Sequence, residues 1–334
     1  MKASLLLCLA VMLRVSVAHA QPESGVSFWP GFYKYKSVAL ISQQPLVVLL
    51  SEEDPKKLKK LANKPEELAE YKASIAYLNT KLQKLAPQVW KFSPSVEFKS
   101  ESALPALQAA PGQRTVVLYY EKQAVGVSRQ HVGFGPKDGM WQAILQLSSL
   151  GDGKEQLECS ALLPLDIIYP SDIVVAFKQI QHQLRRDVKL QADAGLGHDK
   201  QLQVARDRLR AEGDANAESI RTKLLLVAQD DVDEGLTEED IKRVYPFPFQ
   251  LVPRTTIEEA VRVSDIRYNY VRWRAASMAS TGPEIIAAAD GQVLGCSADG
   301  GLGLRGQAII GKREFKDFAR YADAKVSRLY LGIN

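Results

Sequence analysis

Apolar runs alternate along this chain with segments in which apolar residues recur at helical spacing. Residues 45–50 form a continuous apolar run, which is typical of a strand buried on both faces. Beyond Pro65, apolar side chains recur at intervals of three and four residues, which predicts an amphipathic helix; they are Leu68, Tyr71, Ile75, Leu78, Leu82 and Leu85. Short strands at 96–98 and 115–120, a loop over 123–138, strands at 141–147 and 156–162 and a helix from Ser171 complete a first unit.

The same order of elements is predicted a second time, beginning near residue 220. Apolar runs at 223–227, 249–252 and 268–273 predict strands, segments from Thr237 and Thr255 predict short helices, and a strand pair and a closing helix follow. The match is literal around two cysteines, because Leu-X-Cys-Ser-Ala stands at both 157–161 and 294–298 and an Asp-Gly turn precedes each. Two unrelated units with similar strand sequences are the alternative to a true repeat.

We therefore predict an α/β fold of two tandem, similar βαβα-plus-hairpin units, with helices packed on mixed, largely parallel sheets. The first repeat spans 44–190 and the second spans 220–334. Residues 191–219 between them are rich in charged and polar residues, and they are predicted to be a linker with a solvated helix over 202–211. An aromatic lead-in, 21–43, precedes the first repeat.

The first twenty residues have the pattern of a secretory signal peptide. Lys2 supplies the positive charge, residues 5–13 are continuously apolar, and Ala18-His19-Ala20 matches the small-residue cleavage pattern. Cleavage after Ala20 predicts a periplasmic or secreted protein; a buried N-terminal strand or helix is the alternative, which Arg14 leaves open. No later apolar run is long enough to predict a transmembrane segment.

Composition excludes several classes of protein. The chain has 334 residues, of which 46% are hydrophobic and 25% are charged, so it is neither disordered nor a disulfide-built scaffold. Its formal net charge of +4 is nearly balanced, and no nucleic-acid partner is expected.

Two cysteines, Cys159 and Cys296, remain after the predicted cleavage. An oxidising compartment permits a disulfide between them, but thiols in apolar strands are as often inert buried side chains. Sequence does not give the Cα separation that decides between these states, and we expect free thiols. Their matching sequence contexts predict one equivalent position in the two units.

No motif identifies a catalytic residue, metal site or cofactor. Residues 301–306 spell G-x-G-x-x-G, but the following residues do not predict the helix that a dinucleotide site needs, so no cofactor is expected. Glu53, Asp230 and Asp231 follow the first strand of each unit and are weak candidates for metal ligands. Acidic residues at helix starts more often cap the helix, so no metal is expected. The three histidines that remain after the predicted cleavage, at 131, 182 and 198, have no zinc-ligand spacing, and no G-x-S-x-G sequence occurs.

Several segments resemble a group of uncharacterised secreted bacterial proteins with two α/β repeats. They are the strand at 225–227 with its acidic loop and the segments 237–242, 245–249, 256–260 and 52–58. These motifs are strands and helix caps, and the resemblance implies no activity.

These observations predict an exported, non-catalytic binding or protein-interaction module of the cell envelope, whose partner is an unknown envelope protein or a small ligand. The alternative is a secreted hydrolase with a site assembled between the two repeats. A hydrolase would need titratable side chains that converge between the units with shifted pKa values. A binding module would need an apolar or aromatic patch there.

Overall fold

The fold consists of two α/β units with the same strand order. The computed structural model describes residues 36–110, 112, 114–124, 141–163, 168–274, 282–297 and 309–332. The first unit contains α1 (Lys36–Gln43), β1 (Leu46–Leu50), α2 (Pro55–Leu61), α3 (Pro65–Val89), β2 (Val96–Ser100), α4 (Leu104–Ala109), β3 (Thr115–Ala124), β4 (Trp141–Gly151), β5 (Lys154–Leu163) and α5 (Pro170–Ala192). After α6 (His198–Thr222), the second unit contains β6 (Leu224–Ala228), α7 (Glu238–Val244), β7 (Phe249–Val252), α8 (Arg254–Arg262), β8 (Tyr268–Arg274), β9 (Gly282–Ala287), β10 (Val293–Cys296), α9 (Lys312–Arg320) and α10 (Ala324–Tyr330).

Each unit has a mixed five-stranded sheet. The strand order is β2-β1-β3-β4-β5 in the first sheet and β7-β6-β8-β9-β10 in the second. In both, the first three strands are parallel and the last two are added by antiparallel pairing. The predicted fold class is confirmed, with parallel and antiparallel pairings in equal number.

Helix α5 closes the first unit and also packs on the second. It contacts α3 and β5 on one side and α8 on the other. Residues of both sheets therefore share one apolar core around it, including Val48 and Leu118 from the first sheet and Leu226 and Ile286 from the second. Phe177 of α5 is fully buried in this core.

Close backbone approach fixes α5 against the second sheet. The Lys178 ammonium donates hydrogen bonds to the carbonyl oxygens of Val261, at 2.9 Å, and Ala288, at 2.7 Å. Gly291 has a φ of +75°, and a Cβ built on it would lie 2.9 Å from the Cβ of Lys178. A side chain at Gly291 would therefore push α5 away from the second unit.

The predicted linker region is mostly helical. Helix α6 is 25 residues long and extends beyond both ends of the segment 202–211. Ala217 and Ile220 are fully buried, and α6 packs along α10, where Arg328 Nε donates to Asp214 Oδ1 at 2.6 Å. Packing on α10 explains why α6 is longer than the predicted helix over 202–211, because helices of low apolar content depend on tertiary contacts.

The two cysteines do not occupy equivalent rows of their sheets. Cys159 pairs with Leu147, whose row continues through Leu118 to Val48 in the middle of β1. Cys296 pairs with Glu284, and Glu284 pairs with Arg272. Arg272 lies two residues after Tyr270, which is the partner of Leu226 in the middle of β6. The prediction of one equivalent position is therefore wrong. Both hairpins contain a β-bulge before the cysteine, but four residue pairs separate the turn from the bulge in the first unit and one pair does so in the second.

Several predicted features lie outside the described residues. These are the signal peptide (1–20), most of the aromatic lead-in, most of the loop at 123–138 and the G-x-G-x-x-G sequence at 301–306. Within the described ranges, none of the helices combines the length and apolar character that crossing a membrane requires.

Candidate functional site

The start of α5 is bound to α8 of the second unit. The backbone N–H and the hydroxyl of Ser171 both donate to the carboxylate of Glu258, at 2.8 and 2.5 Å. The Asp172 carboxylate accepts the N–H of Tyr169 at 2.9 Å, which caps the helix locally. The first turn of α5 is therefore held by carboxylates from both units.

Buried polar side chains of the second sheet lie beneath this helix start. Arg272 of β8 is 6% exposed, and its Nη2 lies 3.5 Å from the Glu284 carboxylate of the neighbouring strand. Tyr270 stands two residues earlier on the same face and is 2% exposed. The Arg272 guanidinium is close enough to Asp172 for its charge to lower the pKa of that carboxyl, against the effect of burial.

The rim of this region is formed by more exposed groups. Arg254, at the start of α8, forms an ion pair with Asp231 and stacks over the Tyr169 ring at 4.7 Å. Tyr77 of α3 is 40% exposed. Partial burial, together with the nearby charges of Glu258 and Asp172, raises the pKa of its hydroxyl. Side chains from both units thus converge where β6 and β8 end and α5 and α8 begin.

We call this cluster the boundary site. It comprises Asp172, Asp231, Arg254, Glu258, Tyr270, Arg272 and Glu284.

The boundary site holds half of the buried polar side-chain atoms that have no hydrogen-bond partner in the described structure. Those atoms are Arg272 Nε, Arg272 Nη1, the Tyr270 hydroxyl and Asp231 Oδ2, out of eight. Leaving a buried donor or acceptor unpaired costs about 1–3 kcal/mol. Such a concentration is unusual in a folded protein, and buried water or another bound molecule is the usual partner of such atoms.

Burial dominates the electrostatics of the site. It raises the pKa of Asp172 to about 6, against the opposing effect of the Arg272 charge and the Tyr169 N–H. Burial also raises the pKa of Asp231, although the Arg254 guanidinium acts in the other direction. Raised carboxyl pKa values in a cluster between structural units are typical of functional sites.

The structure does not bring the predicted metal candidates together. Glu53 lies 3.5 Å from Lys72 in the first unit, whereas Asp231 pairs with Arg254 in the second. Asp230 lies beside Asp231 in the short helix that follows β6. Over the described ranges, no group of three or more His, Cys, Asp or Glu side chains is placed to hold a metal ion.

Both cysteines are thiols, in different sheets and different surroundings. Cys159 is 5% exposed in the shared core, and burial raises its pKa well above the ordinary value. Cys296 is half-buried, with its Sγ 3.8 Å from the Tyr321 hydroxyl, and it lines a cavity of about 200 Å³. Arg313, Asp317 and Arg320 also line this cavity.

This difference predicts selective labelling. In the chain that begins at Gln21, maleimide should modify Cys296 in the folded protein and Cys159 only after unfolding, because thiolate formation and access control the reaction. Peptide mass mapping of the labelled protein measures this. Cys296→Ser should remove labelling under native conditions, and an intact mass that changes with reductant would reveal the disulfide instead.

Sequence reasoning identified only Asp231 among the residues of the boundary site. Arg272 lies in the predicted strand 268–273, and Glu284 begins the next predicted strand, 284–288. A charged residue within an apolar strand was the signal available for both, because burying an unpaired charge is costly. The contribution of α5 depends on how the units pack, which local patterns do not contain.

No protein-family model, curated protein or solved structure matches the chain.

Proposed function

We propose that the protein is an exported, non-catalytic binding protein of the cell envelope, and that the boundary site holds a small ligand. The observation that carries this proposal is the set of unpartnered donors on Arg272 and Tyr270, both more than nine-tenths buried. A ligand that accepts these hydrogen bonds would stabilise the folded protein. Sites at the boundary between structural units, with few polar groups in an apolar surround, are typical of small-ligand binding.

Export is the second part of the proposal. It is supported by Lys2, the apolar run 5–13 and the Ala18-His19-Ala20 sequence. If the chain is expressed with its N-terminus intact in a bacterial host, the mature protein should begin at Gln21 and appear in the periplasm or medium. A chain that remains in the cytoplasm and keeps Lys2 would contradict export.

Binding can be tested by thermal unfolding of the mature protein in the presence of a chemically diverse small-molecule library. At least one class of compound should raise the Tm of the wild type, since a ligand that binds only the folded state stabilises it. Arg272→Met should remove that increase. Arg243→Met is the matched control, because Arg243 is an exposed arginine of α7, and it should leave the ligand-induced increase in Tm unchanged. Compounds that stabilise the wild type and Arg272→Met equally would contradict the boundary site.

Hydrolysis is the second candidate function, and two observations favour it. The Ser171 hydroxyl donates to Glu258 at 2.5 Å, as a nucleophile donates to a general base, and the raised pKa of Asp172 would suit a general acid. However, Ser171 and Asp172 are 6% and 3% exposed, and both are engaged in the contacts that anchor α5. The unpartnered groups of Arg272 and Tyr270 donate hydrogen bonds and provide no nucleophile at neutral pH, so binding is the better supported function.

An assay with p-nitrophenyl acetate and p-nitrophenyl glycosides distinguishes the two functions. A binding protein should give no turnover above that of Ser171→Ala. Turnover that is lost in Ser171→Ala, while the folded structure is retained by circular dichroism, would establish the hydrolase.

A further inference from the structure

The cavity beside Cys296 lies between β10 and the last two helices of the second unit, and we call it the Cys296 cavity. Its lining comes from the end of β10, one side of α9, the residue after α9, and α10: Cys296, Arg313, Asp317, Arg320, Tyr321 and Val326. Its volume is about 200 Å³. A cavity of about 150 Å³ holds a molecule of the size of benzene, so this cavity has room for a small ligand. Cys296 is partly exposed and the Arg320 side chain is 68% exposed, so solvent reaches the lining.

Two contacts place a tyrosine hydroxyl beside the thiol. The Tyr321 hydroxyl lies 3.8 Å from Cys296 Sγ. A Cβ built on Gly295 would lie 2.5 Å from Tyr321 Cγ, so the ring packs directly on the backbone of β10. Burial raises the pKa of Tyr321, and the hydroxyl therefore keeps its proton at neutral pH and can donate it in a hydrogen bond to the sulfur. Such a donor stabilises the thiolate, which is the reactive form of cysteine.

Positive charge exceeds negative charge in the lining, because two guanidinium groups face one carboxylate. That carboxylate, on Asp317, accepts the Ser297 hydroxyl at 2.8 Å, and its other oxygen lies 3.8 Å from Arg320 Nη1. The excess positive charge favours the thiolate of Cys296 over the thiol and attracts anionic molecules. Guanidinium groups also match the oxygens of a carboxylate or sulfonate in geometry.

A disulfide partner for Cys296 has to come from outside the folded chain. In the chain that begins at Gln21 the other cysteine is Cys159, which is 5% exposed and lies in the core shared by both units. Both side chains are thiols, in different sheets. A thiol in a solvent-accessible cavity can instead react with a small disulfide that enters the cavity.

We propose that the Cys296 cavity is a site of reversible disulfide modification by small anionic thiols, with Arg313 and Arg320 selecting the anion. The Cys296 thiol loses its proton to solvent, and the thiolate attacks one sulfur of a small external disulfide. The S–S bond of that disulfide breaks, a new S–S bond joins one half to Cys296, and the other half leaves as a thiolate with the electron pair. Cys296 is oxidised and the departing half is reduced, so the external disulfide is itself the oxidant. This inference does not depend on the boundary site.

The experiment compares small disulfides of different charge on the reduced protein that begins at Gln21, at neutral pH. The reagents are dithiodiglycolate, which is anionic, bis(2-hydroxyethyl) disulfide, which is neutral, and cystamine, which is cationic. Intact mass followed over time gives the rate constant for adduct formation, and peptide mapping identifies the modified cysteine. Each rate constant is divided by that of the same reagent with 2-mercaptoethanol, which removes differences in intrinsic reactivity.

The adduct should form on Cys296, and excess dithiothreitol should remove it. The normalised rate constant of dithiodiglycolate should exceed that of cystamine by about fivefold or more, with the neutral disulfide between them. Cys296→Ser should give no adduct while the protein remains folded.

Variants test whether the arginines of the cavity select the anion. Arg313→Gln combined with Arg320→Gln should bring the ratio of the anionic to the cationic rate constant to about one. The matched control combines Arg262→Gln and Arg267→Gln, which removes two exposed arginines at the end of α8 and in the turn that follows, and it should leave the ratio unchanged. Circular dichroism checks that each variant is folded.

Four results would overturn the proposal. They are normalised rate constants that are equal or favour cystamine, a ratio that the double variant in the cavity retains, an adduct that is absent from Cys296, and a disulfide-linked dimer in place of the adduct.

Discussion

Phe177→Ala is expected to lower the free energy of unfolding by about 3–5 kcal/mol, the usual cost of removing a large aromatic side chain from a core. Phe177 is fully buried on α5, and its ring packs edge-on against Trp90, with centroids 6.0 Å apart. The residue lies in the core to which both sheets contribute, so the loss should destabilise both units.

Urea unfolding followed by tryptophan fluorescence and by circular dichroism measures this effect. Phe177→Leu, which keeps most of the apolar volume, is the control and should cost less than about 1.5 kcal/mol. In Phe177→Ala the two probes should report one coincident transition at a lower urea concentration. A loss below about 1 kcal/mol, or separate transitions for the two units, would contradict a core shared through α5.

Asp172→Asn is expected to stabilise the protein above pH 6 and to have little effect near pH 4. The folded-state pKa of Asp172 is about 6, raised by burial from 3.8. Between pH 3.8 and about pH 6 the folded protein keeps a proton on Asp172 that the unfolded chain has released. The free energy of unfolding of the wild type therefore falls as pH rises through this range. By linkage, the difference amounts to about 3 kcal/mol once pH exceeds 6. Asparagine does not ionise and does not incur this cost.

The measurement is the free energy of unfolding of both proteins from pH 4 to pH 7.5. Asp265→Asn provides a control of opposite sign, because its hydrogen bonds to Arg267 lower the pKa of Asp265 to about 2. A carboxyl with a lowered pKa contributes stability at neutral pH and loses it in acid, so Asp265→Asn should not be more stable than the wild type at pH 7.5. Wild-type and Asp172→Asn curves that stay parallel would show that the Asp172 carboxyl is not desolvated.

Much of the fold could be predicted from the sequence because its strands carry strong local patterns. The apolar runs at 45–50 and 223–227 correspond to β1 and β6, within one residue at each end, and the stripe beginning at Leu68 lies on α3. Both runs are buried on both sides, and a strand in that position needs apolar residues at every position rather than at alternate ones.

Helices that depend on tertiary contacts could not be predicted in the same way. Helix α1 was included in the aromatic lead-in, although Val38 and Ile41 are buried. Helix α6 has mostly polar residues, and its length becomes understandable only with α10 packed beside it. The sequence pattern predicts which face of a helix or strand is apolar, but it does not predict which other element packs against that face.

The boundary site depends on the same kind of tertiary information. Asp172 and Glu258 look in the sequence like ordinary helix-start residues, and the structure places them beside Arg272 because α5 crosses from its own unit onto the second sheet. The hypothesis of a repeat predicted two similar units, but it did not predict that α5 of the first unit packs on α8 of the second.

The most direct test of the boundary site is the stability of Tyr270→Phe without any ligand. We expect its free energy of unfolding to exceed that of the wild type by about 1 kcal/mol, because the change removes a buried hydroxyl that has no partner among the described residues. Tyr270→Phe less stable than the wild type by a similar amount would show that the hydroxyl is already satisfied, and that the site has no unfilled hydrogen bond for a ligand there.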